Sequence, residues 1–348
     1  MYSAHHPSAG AAAPAAAADE LSYDACVPRG LVHKKAVSEV FLTDARPRGA
    51  DRFAVAAQWP RDHVFFHPGQ DGRSDPLLWV ETARQAVIYL SHRFYGVPLG
   101  DCFILSGVDF AIDRPQPPRT GAEPLSVTLD ATCRRLKQSP GRLVMAMDAV
   151  VLVDGVPAGR VGVRWQAVSP RGYRVVRGRT VPSNPDAAAP AVHGTVPLPA
   201  QAVGRRNDRD VLLSGALGAQ RVWNLRLDTG HPVLFDHGCD HIPGVALIEA
   251  FAQAAALAMP AASESAAGGD PDPRIWMLRS GTVSFDAFGE LDLPVVIAAR
   301  PGQDAAPDRL REVTVVALQG EHALATAVLR GAALSPQGRA EHEEGVRC

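Results

Sequence analysis

The sequence predicts an α+β protein of two tandem repeats, each an antiparallel sheet wrapped around one central helix. Three observations carry this reading. Strand-like runs, one long helix and further strands succeed one another twice along the chain. Both helices are apolar around almost their whole circumference, which marks helices enclosed by other structure. Both also read E-x-x-x-Q-A, at Glu81–Ala86 and Glu249–Ala254, 168 residues apart (249 − 81). An Asp-His pair precedes each helix, Asp62-His63 and Asp236-His237, so two matches fall in the same order within one plan, as a duplication leaves them.

A length of 348 residues suits two domains of about 150 each. Lys+Arg 35 against Asp+Glu 37 gives a net charge of −2, without the basic excess that coating nucleic acid or anionic lipid requires. Five cysteines (Cys26, Cys102, Cys133, Cys239, Cys348), an odd number with no CxxC, read as reduced thiols of a cytoplasmic protein. The most apolar stretch, 244–259, contains Glu249 and Gln253 and falls short of the about 20 apolar residues that span a bilayer. No P-loop or GxGxxG occurs, so neither a nucleotide nor another cofactor is expected.

The first 26 residues form an Ala/Pro-rich tail without a basic leader, expected to be disordered. The first repeat, 27–180, opens with strand-like runs at Ala36–Thr43 and Arg52–Trp59, separated by a turn at Arg46–Gly49. Its helix starts at Ser74-Asp75-Pro76, a cap followed by a first-turn proline, and stops at Gly96 and Pro98. Strands are predicted at 103–112, 125–136, 143–153 and 160–168. The arginines of 171–179 are read as a solvated strand or loop, with a docking surface for an acidic carrier protein as the alternative. Five prolines and no aromatic residue make 181–202 a linker. The second repeat, 203–335, has a strand at 221–227, a helix from about 243 to 258, a low-complexity loop at 260–273, and strands at 275–285, 294–299, 313–318 and 323–329. A short tail, 336–348, ends the chain.

On the first helix Arg84 and Gln85 lie beside Glu81, three and four residues on. A lone carboxylate on an apolar helix is costly unless paired, hydrogen-bonded or facing a solvated cleft. The alternative for Glu81 and Arg84 is an ordinary i,i+3 ion pair, although burying such a pair seldom adds stability. Gln85 and Gln253 are read as partners of buried backbone groups. A buried helix inside an antiparallel sheet is the hotdog architecture, and two in one chain make a double hotdog, with paired sheets and neighbouring helices.

Two blocks carry a resemblance: AQWPRDH…HP…GRSDPLLWVETARQAVIYLSHRFYGVPL at 57–99 and HPVLFDHGCDHIPGVALIEAFAQAA at 231–255. With VHKKAVSEVFLTD (32–44) and FDAFGELDLP (285–294), they resemble the A-factor biosynthesis hotdog family over most of 27–331. The second block is also similar to the 3-hydroxyacyl-carrier dehydratases. The resemblance implies an acyltransferase. Its donor is a β-ketoacyl thioester of acyl carrier protein or coenzyme A, and its acceptor is a hydroxyl of dihydroxyacetone phosphate. The product leads towards γ-butyrolactone, butenolide or furan signalling molecules. The family's functional helix residues match Glu81, Arg84 and Glu249; where the family commonly has a second arginine, this chain has Ala252.

Ester formation requires a base for the acceptor hydroxyl, donors for a developing oxyanion, and cations for a phosphate. Glu249 is the first candidate base, with Glu81 its counterpart and His237 as an orienting or acidic group. The free N–H groups near Gly244 and Val245 suit the oxyanion. Arg84, then Arg205 and Arg206, suit the phosphate. His63 and His67 are balanced between loop structure and the site. The spacing His237-x-Cys239-x-His241 is not a usual zinc pattern, so no metal is expected, and Cys239 lacks the context of a nucleophile. A dehydratase or thioesterase on the same fold and a non-catalytic acyl-binding regulator are the alternatives, and a homo-oligomer is left open.

Overall fold

A computed structural model describes residues 20–69, 72–114, 117–178, 196–215, 221–259, 276–302 and 310–333. The N-terminal tail up to 19, the linker core at 179–195, the loop at 260–275 and the C-terminal tail lie outside the described residues. The first half comprises β1 (Leu42–Gly49), β2 (Arg52–Trp59), α1 (Leu77–Phe94), β3 (Cys102–Ile112), β4 (Leu125–Ser139), β5 (Arg142–Val153), β6 (Val156–Val168) and α2 (Pro170–Arg177). The second comprises β7 (Leu213–Ser214), β8 (Val222–Leu225), α3 (Gly244–Ala258), β9 (Trp276–Phe285), β10 (Val296–Pro301), β11 (Arg311–Gln319) and β12 (His322–Ala333).

All strands join one sheet in the order β1-β2-β4-β5-β6-β3-β9-β12-β11-β10-β8-β7. Read inward from either edge, the two halves have the same order, which is what a duplication predicts. They meet where β3 pairs antiparallel with β9, from Gly107↔Ser284 to Ala111↔Ser280. Each half curls its sheet around its helix: α1 packs on β6, β3, β1 and β2, and α3 on β10, β11, β12 and β9.

Apolar pattern alone does not hold α1 in place. Its buried hydroxyls are also paired: Trp59 Nε1 donates to Thr82 Oγ1 at 2.8 Å, and Trp165 Nε1 to Ser91 Oγ at 3.1 Å. Ser91 in turn donates to the Val87 carbonyl, so no hydroxyl on the buried face lacks a partner. The sheet packs tightly on this helix. A Cβ on Gly159 of β6 would lie 2.1 Å from the Ala111 carbonyl oxygen and 3.0 Å from the Trp79 ring. Gly159→Ala is therefore expected to destabilise the fold by about 1–3 kcal/mol, read as a lowered denaturant midpoint at unchanged m-value.

Two local expectations are corrected. The run at 36–43 begins as a short 3₁₀ turn, Val37–Glu39, and β1 starts only at Leu42 and continues through Arg46–Gly49. Pro47 is tolerated there because β1 is an edge strand, paired on one side only. The reversal comes two residues later, at Asp51, whose φ is 56°. The arginine-rich segment after β6 is a helix, capped by Ser169 Oγ accepting from Gly172 N at 3.2 Å, with Pro170 in its first turn. Its inner face ties the halves together: Arg177 grips Glu290 with both terminal nitrogens, at 2.6 and 2.7 Å, and Tyr173 donates to Asp240 at 2.6 Å.

Candidate active site

The two glutamines hold each half to one plan. Gln85 Oε1 accepts from Phe41 N and its Nε2 donates to the Glu39 carbonyl and to Glu81 Oε1, at 2.9, 2.8 and 2.8 Å. Gln253 does the same with Leu212 N, the Asp210 carbonyl and Glu249 Oε1, at 2.9, 2.8 and 2.5 Å. Each thus stitches a buried helix to the loop before the first strand of its half and fixes the rotamer of its glutamate.

The histidine correspondence differs from the sequence expectation. His63 Nδ1 accepts from Phe65 N and Phe66 N, and its Nε2 faces the Glu39 carboxylate at 3.3 Å. The residue making the same contacts in the second half is His231, 168 residues on (231 − 63), with Nδ1 accepting from Val233 N and Leu234 N and Nε2 3.0 Å from Asp210. Asp236-His237 is therefore not the repeat of Asp62-His63. His63 is a buried loop lock and does not line the cavity described next.

A cavity of about 380 Å³ opens between the halves. From the first half it takes Lys34 and the Glu81, Arg84, Val87 and Ile88 face of α1; from the second, the segment leading into α3, including His237, Gly244 and Val245. Phe103, Leu105 and Phe285 add apolar wall. Glu81 is buried, with Arg84 bidentate on it at 2.8 Å twice and Lys34 Nζ at 3.1 Å. Burial alone would raise its pKa, but the charges of Arg84 and Lys34 hold the carboxyl well below the usual range. Arg84 correspondingly stays charged.

Across the cavity, α3 begins after Pro243 with no side-chain cap, and the N–H groups of Gly244 and Val245 find no acceptor among the described residues. At 244 the fit is close: a Cβ would lie 3.2 Å from the Phe285 ring. His237 sits exposed on the rim with no hydrogen-bond partner among the described residues. Partial desolvation, then the charge of Arg84, lowers its pKa, so the ring is neutral at pH 7. Asp236 accepts from Lys35 N at 2.8 Å and Ala36 N at 3.2 Å, so the second half anchors the loop that presents Lys34.

Glu249 faces no such cavity. It is fully buried, with Arg205 bonded to both its oxygens, Nε at 2.6 Å and Nη2 closer still. Burial pushes its pKa up against the pull of Arg205, as a base would need, yet it is not among the residues that line the cavity. Arg205 also bonds Asp75 Oδ2 at 2.8 Å and the Phe65 carbonyl at 3.0 Å, and is held charged by the two carboxylates. Arg206 pairs with Asp62 at the surface. Both arginines lie off this cavity, apart from the residues expected to share an acceptor phosphate with them. The structure thus brings Glu81, Arg84, His237, Gly244 and Val245 together and leaves Glu249, Arg205, Arg206 and His63 outside.

Lys34 is the functional candidate that sequence reasoning missed. The duplication held the signal: Arg205 follows Lys34 by 171 residues (205 − 34), as Asp210 follows Glu39 (210 − 39). Cys239 Sγ and His241 Nδ1, also on the cavity wall, lie 3.7 Å apart, supplying a neighbour that the sequence did not reveal. Asp240 addresses the same nitrogen at 2.8 Å, so no relay runs through the ring. The ligand atoms of these three residues lie within 4.8 Å of one another, with Asp240 already engaged by Tyr173 and Arg177.

Two matching halves, each a curled antiparallel sheet around a buried helix, with an apolar cavity at the start of one helix, define a double-hotdog protein. The chain belongs to the A-factor biosynthesis hotdog (AfsA) family, whose model matches residues 16–169 and 188–335. Its relatives include proteins from Streptomyces coelicolor and Streptomyces virginiae named 2-oxo-3-(phosphooxy)propyl 3-oxoalkanoate synthase. The first is 36% identical over 288 residues, 82% of this chain and 86% of the relative. The second is 36% identical over 310 residues, 88% and 98%. Similar solved structures include an acyl-ACP thioesterase from Bacteroides thetaiotaomicron (TM-score 0.45, 12% identity, 80% of this chain and 97% of that one). Another is the 12:0-ACP thioesterase from Umbellularia californica (0.45, 10%, 83% and 100%). No helix among the described residues is long and apolar enough to cross a membrane.

Proposed function

We propose that the protein is an acyltransferase that moves a β-ketoacyl group from a thioester, of acyl carrier protein or coenzyme A, to a hydroxyl of dihydroxyacetone phosphate. The product is then the 2-oxo-3-(phosphooxy)propyl 3-oxoalkanoate of its relatives' name. One observation carries this reading: a single cavity combines an apolar wall, two cations, a neutral imidazole and two free helix-start N–H groups.

Each part meets one demand of ester formation. The apolar wall takes the acyl chain. The N–H groups of Gly244 and Val245 stabilise negative charge on the carbonyl oxygen as the hydroxyl adds. Arg84, a planar cation with an edge on the cavity, takes the acceptor phosphate. His237 takes the hydroxyl proton and returns it to the departing thiolate, so one ester and one thiol form from one thioester and one alcohol. Glu81 is too acidic and too firmly held to serve as base; it is a positioning residue for Arg84 and Lys34. In this scheme only one of the two equivalent places works, and Ala252 in place of a second arginine costs it nothing. The ester holds an acidic methylene opposite a ketone, so ring closure to a five-membered lactone precursor of signalling molecules is chemically direct.

The test measures thiol release from a β-ketoacyl thioester with and without dihydroxyacetone phosphate. Release that requires the acceptor supports transfer; equal release without it means a thioesterase and overturns the proposal. Arg84→Ala is expected to raise KM for the acceptor tenfold or more while changing donor KM less than threefold. Equal effects on both substrates would reduce Arg84 to a structural partner of Glu81.

A further inference from the structure

One half of the molecule already holds an anion at the place where the other half is open. Asp75 stands just before α1, with Oδ1 accepting from Leu77 N at 2.8 Å and Oδ2 from Arg205 Nη1 at 2.8 Å. Arg205 in turn grips Glu249. A carboxylate is thus seated between a helix-start N–H and a cation backed by a buried glutamate.

The open place, built like the closed one from both halves, repeats each of these parts except the carboxylate. Val245 stands for Leu77 (245 − 77 is 168), Glu81 for Glu249, and Lys34 for Arg205. Lys34 Nζ lies 3.1 Å from Glu81, its side chain 5% exposed, and both it and Val245 line the cavity. At the position of Asp75, however, stands Pro243 (243 − 75 is 168), which carries no side-chain acceptor. Where one half supplies its own oxygen pair, the other leaves donor and cation waiting for a ligand's. Beyond them Val87, Ile88, Leu105 and Phe285 continue the cavity as apolar wall.

We infer that Val245 N–H and Lys34 together form a head-group site for an aliphatic carboxylate, seated as Asp75 is in the closed half. The inference rests on the acyl-transfer reading only in this: the same site receives the acyl oxygen during transfer, and Lys34 is its cationic arm. A free acid with the donor's chain is therefore an inhibitor competitive with the thioester. Arg84, Asp236 and His237 share the cavity; Asp236 accepts from Lys35 N and Ala36 N, and Arg84, with Nε and Nη2 on Glu81, is the cation assigned above to the acceptor phosphate.

Octanoate, octan-1-ol and octanamide serve as probes with the full chain, by calorimetry and by inhibition. Octanoate is expected to bind at least tenfold tighter than the two neutral probes and to compete with the thioester. Lys34→Met is expected to lose that preference and to lower kcat more than it raises KM. Pro243→Asp, which supplies the open half with its own carboxylate, is expected to lose octanoate binding and transfer more than tenfold, while Pro243→Ala stays within threefold of the parent protein in both. Equal binding of the three probes, or equal behaviour of the two Pro243 variants, overturns the inference. If Pro243→Asp fails to fold, judged by circular dichroism, the Lys34→Met binding result decides. Charge-dependent octanoate binding in a protein without transferase activity keeps this site and removes only the transfer reading.

Discussion

His237→Ala is expected to lower the transfer rate by about 10²–10⁴-fold, the range typical of losing a positioned general base. The expectation follows from what each titratable group on the cavity can do at neutral pH. Glu81 is ionised, but its cations make its conjugate acid too strong to form during the reaction. His237 has a pKa lowered from 6.5, so its lone pair is free above that value and lost as the solution is acidified. The parent enzyme should therefore show a rate that rises with pH and levels off below about 7. The rising limb, set by an apparent pKa under 6.5, should vanish in His237→Ala along with most of the rate. Donor and acceptor KM should change little, because the ring is assigned a proton and not a binding charge. A variant that keeps the limb and the rate would remove His237 from the mechanism.

The second large effect concerns stability. Glu249→Ala is expected to destabilise the fold by about 3 kcal/mol, since removing one partner of a buried pair strands the other in an apolar setting. The value sits at the lower end of the usual range because Arg205 retains Asp75. Transfer per folded molecule should remain near that of the parent. The paired change Glu249→Leu with Arg205→Met should recover only part of the loss, because it removes two of the three buried charges with side chains of similar volume and leaves Asp75 without its cation. Denaturant unfolding of the two single variants and the double variant measures the coupling. A Glu249 variant with an unshifted midpoint but no activity would instead return this residue to the catalytic machinery.

Both effects trace to an asymmetry inside a symmetric fold. The halves share strand order, helix, glutamate, glutamine and histidine. They differ at Asp75 against Pro243 and at Arg84 against Ala252. With Asp75 in place, the start of α1 and the arginine of the second half are both already satisfied by a carboxylate of the protein itself. With Pro243, the first half's cations face an uncapped helix across an open space. A duplicated binding site can in this way become one working site and one internal ion pair.

How much of this was legible depended on the reach of each interaction. The neighbours Glu81, Arg84 and Gln85 sit one turn apart on one helix, so their spacing in the chain states their contact. The free N–H groups of α3 were legible for the same reason, as any helix start leaves them. Edge position, by contrast, made β1 tolerate a proline that reads locally as a turn. The segment 170–177 became a helix because its inward residues found Asp240 and Glu290 on the other half.

The amino-acid sequence by itself determined the two repeats, their wrapped helices, the family and the chemistry to look for, because apolar periodicity and repeated spacing are local properties of the chain. Only the tertiary structure decided which glutamate meets a cavity. That choice rests on Arg205 reaching Glu249 across 44 residues and Asp75 across 130, and on Lys34 reaching Glu81 from its own loop. Ion pairs of that range form only after the sheet has closed around its helices, and no spacing along the chain records them.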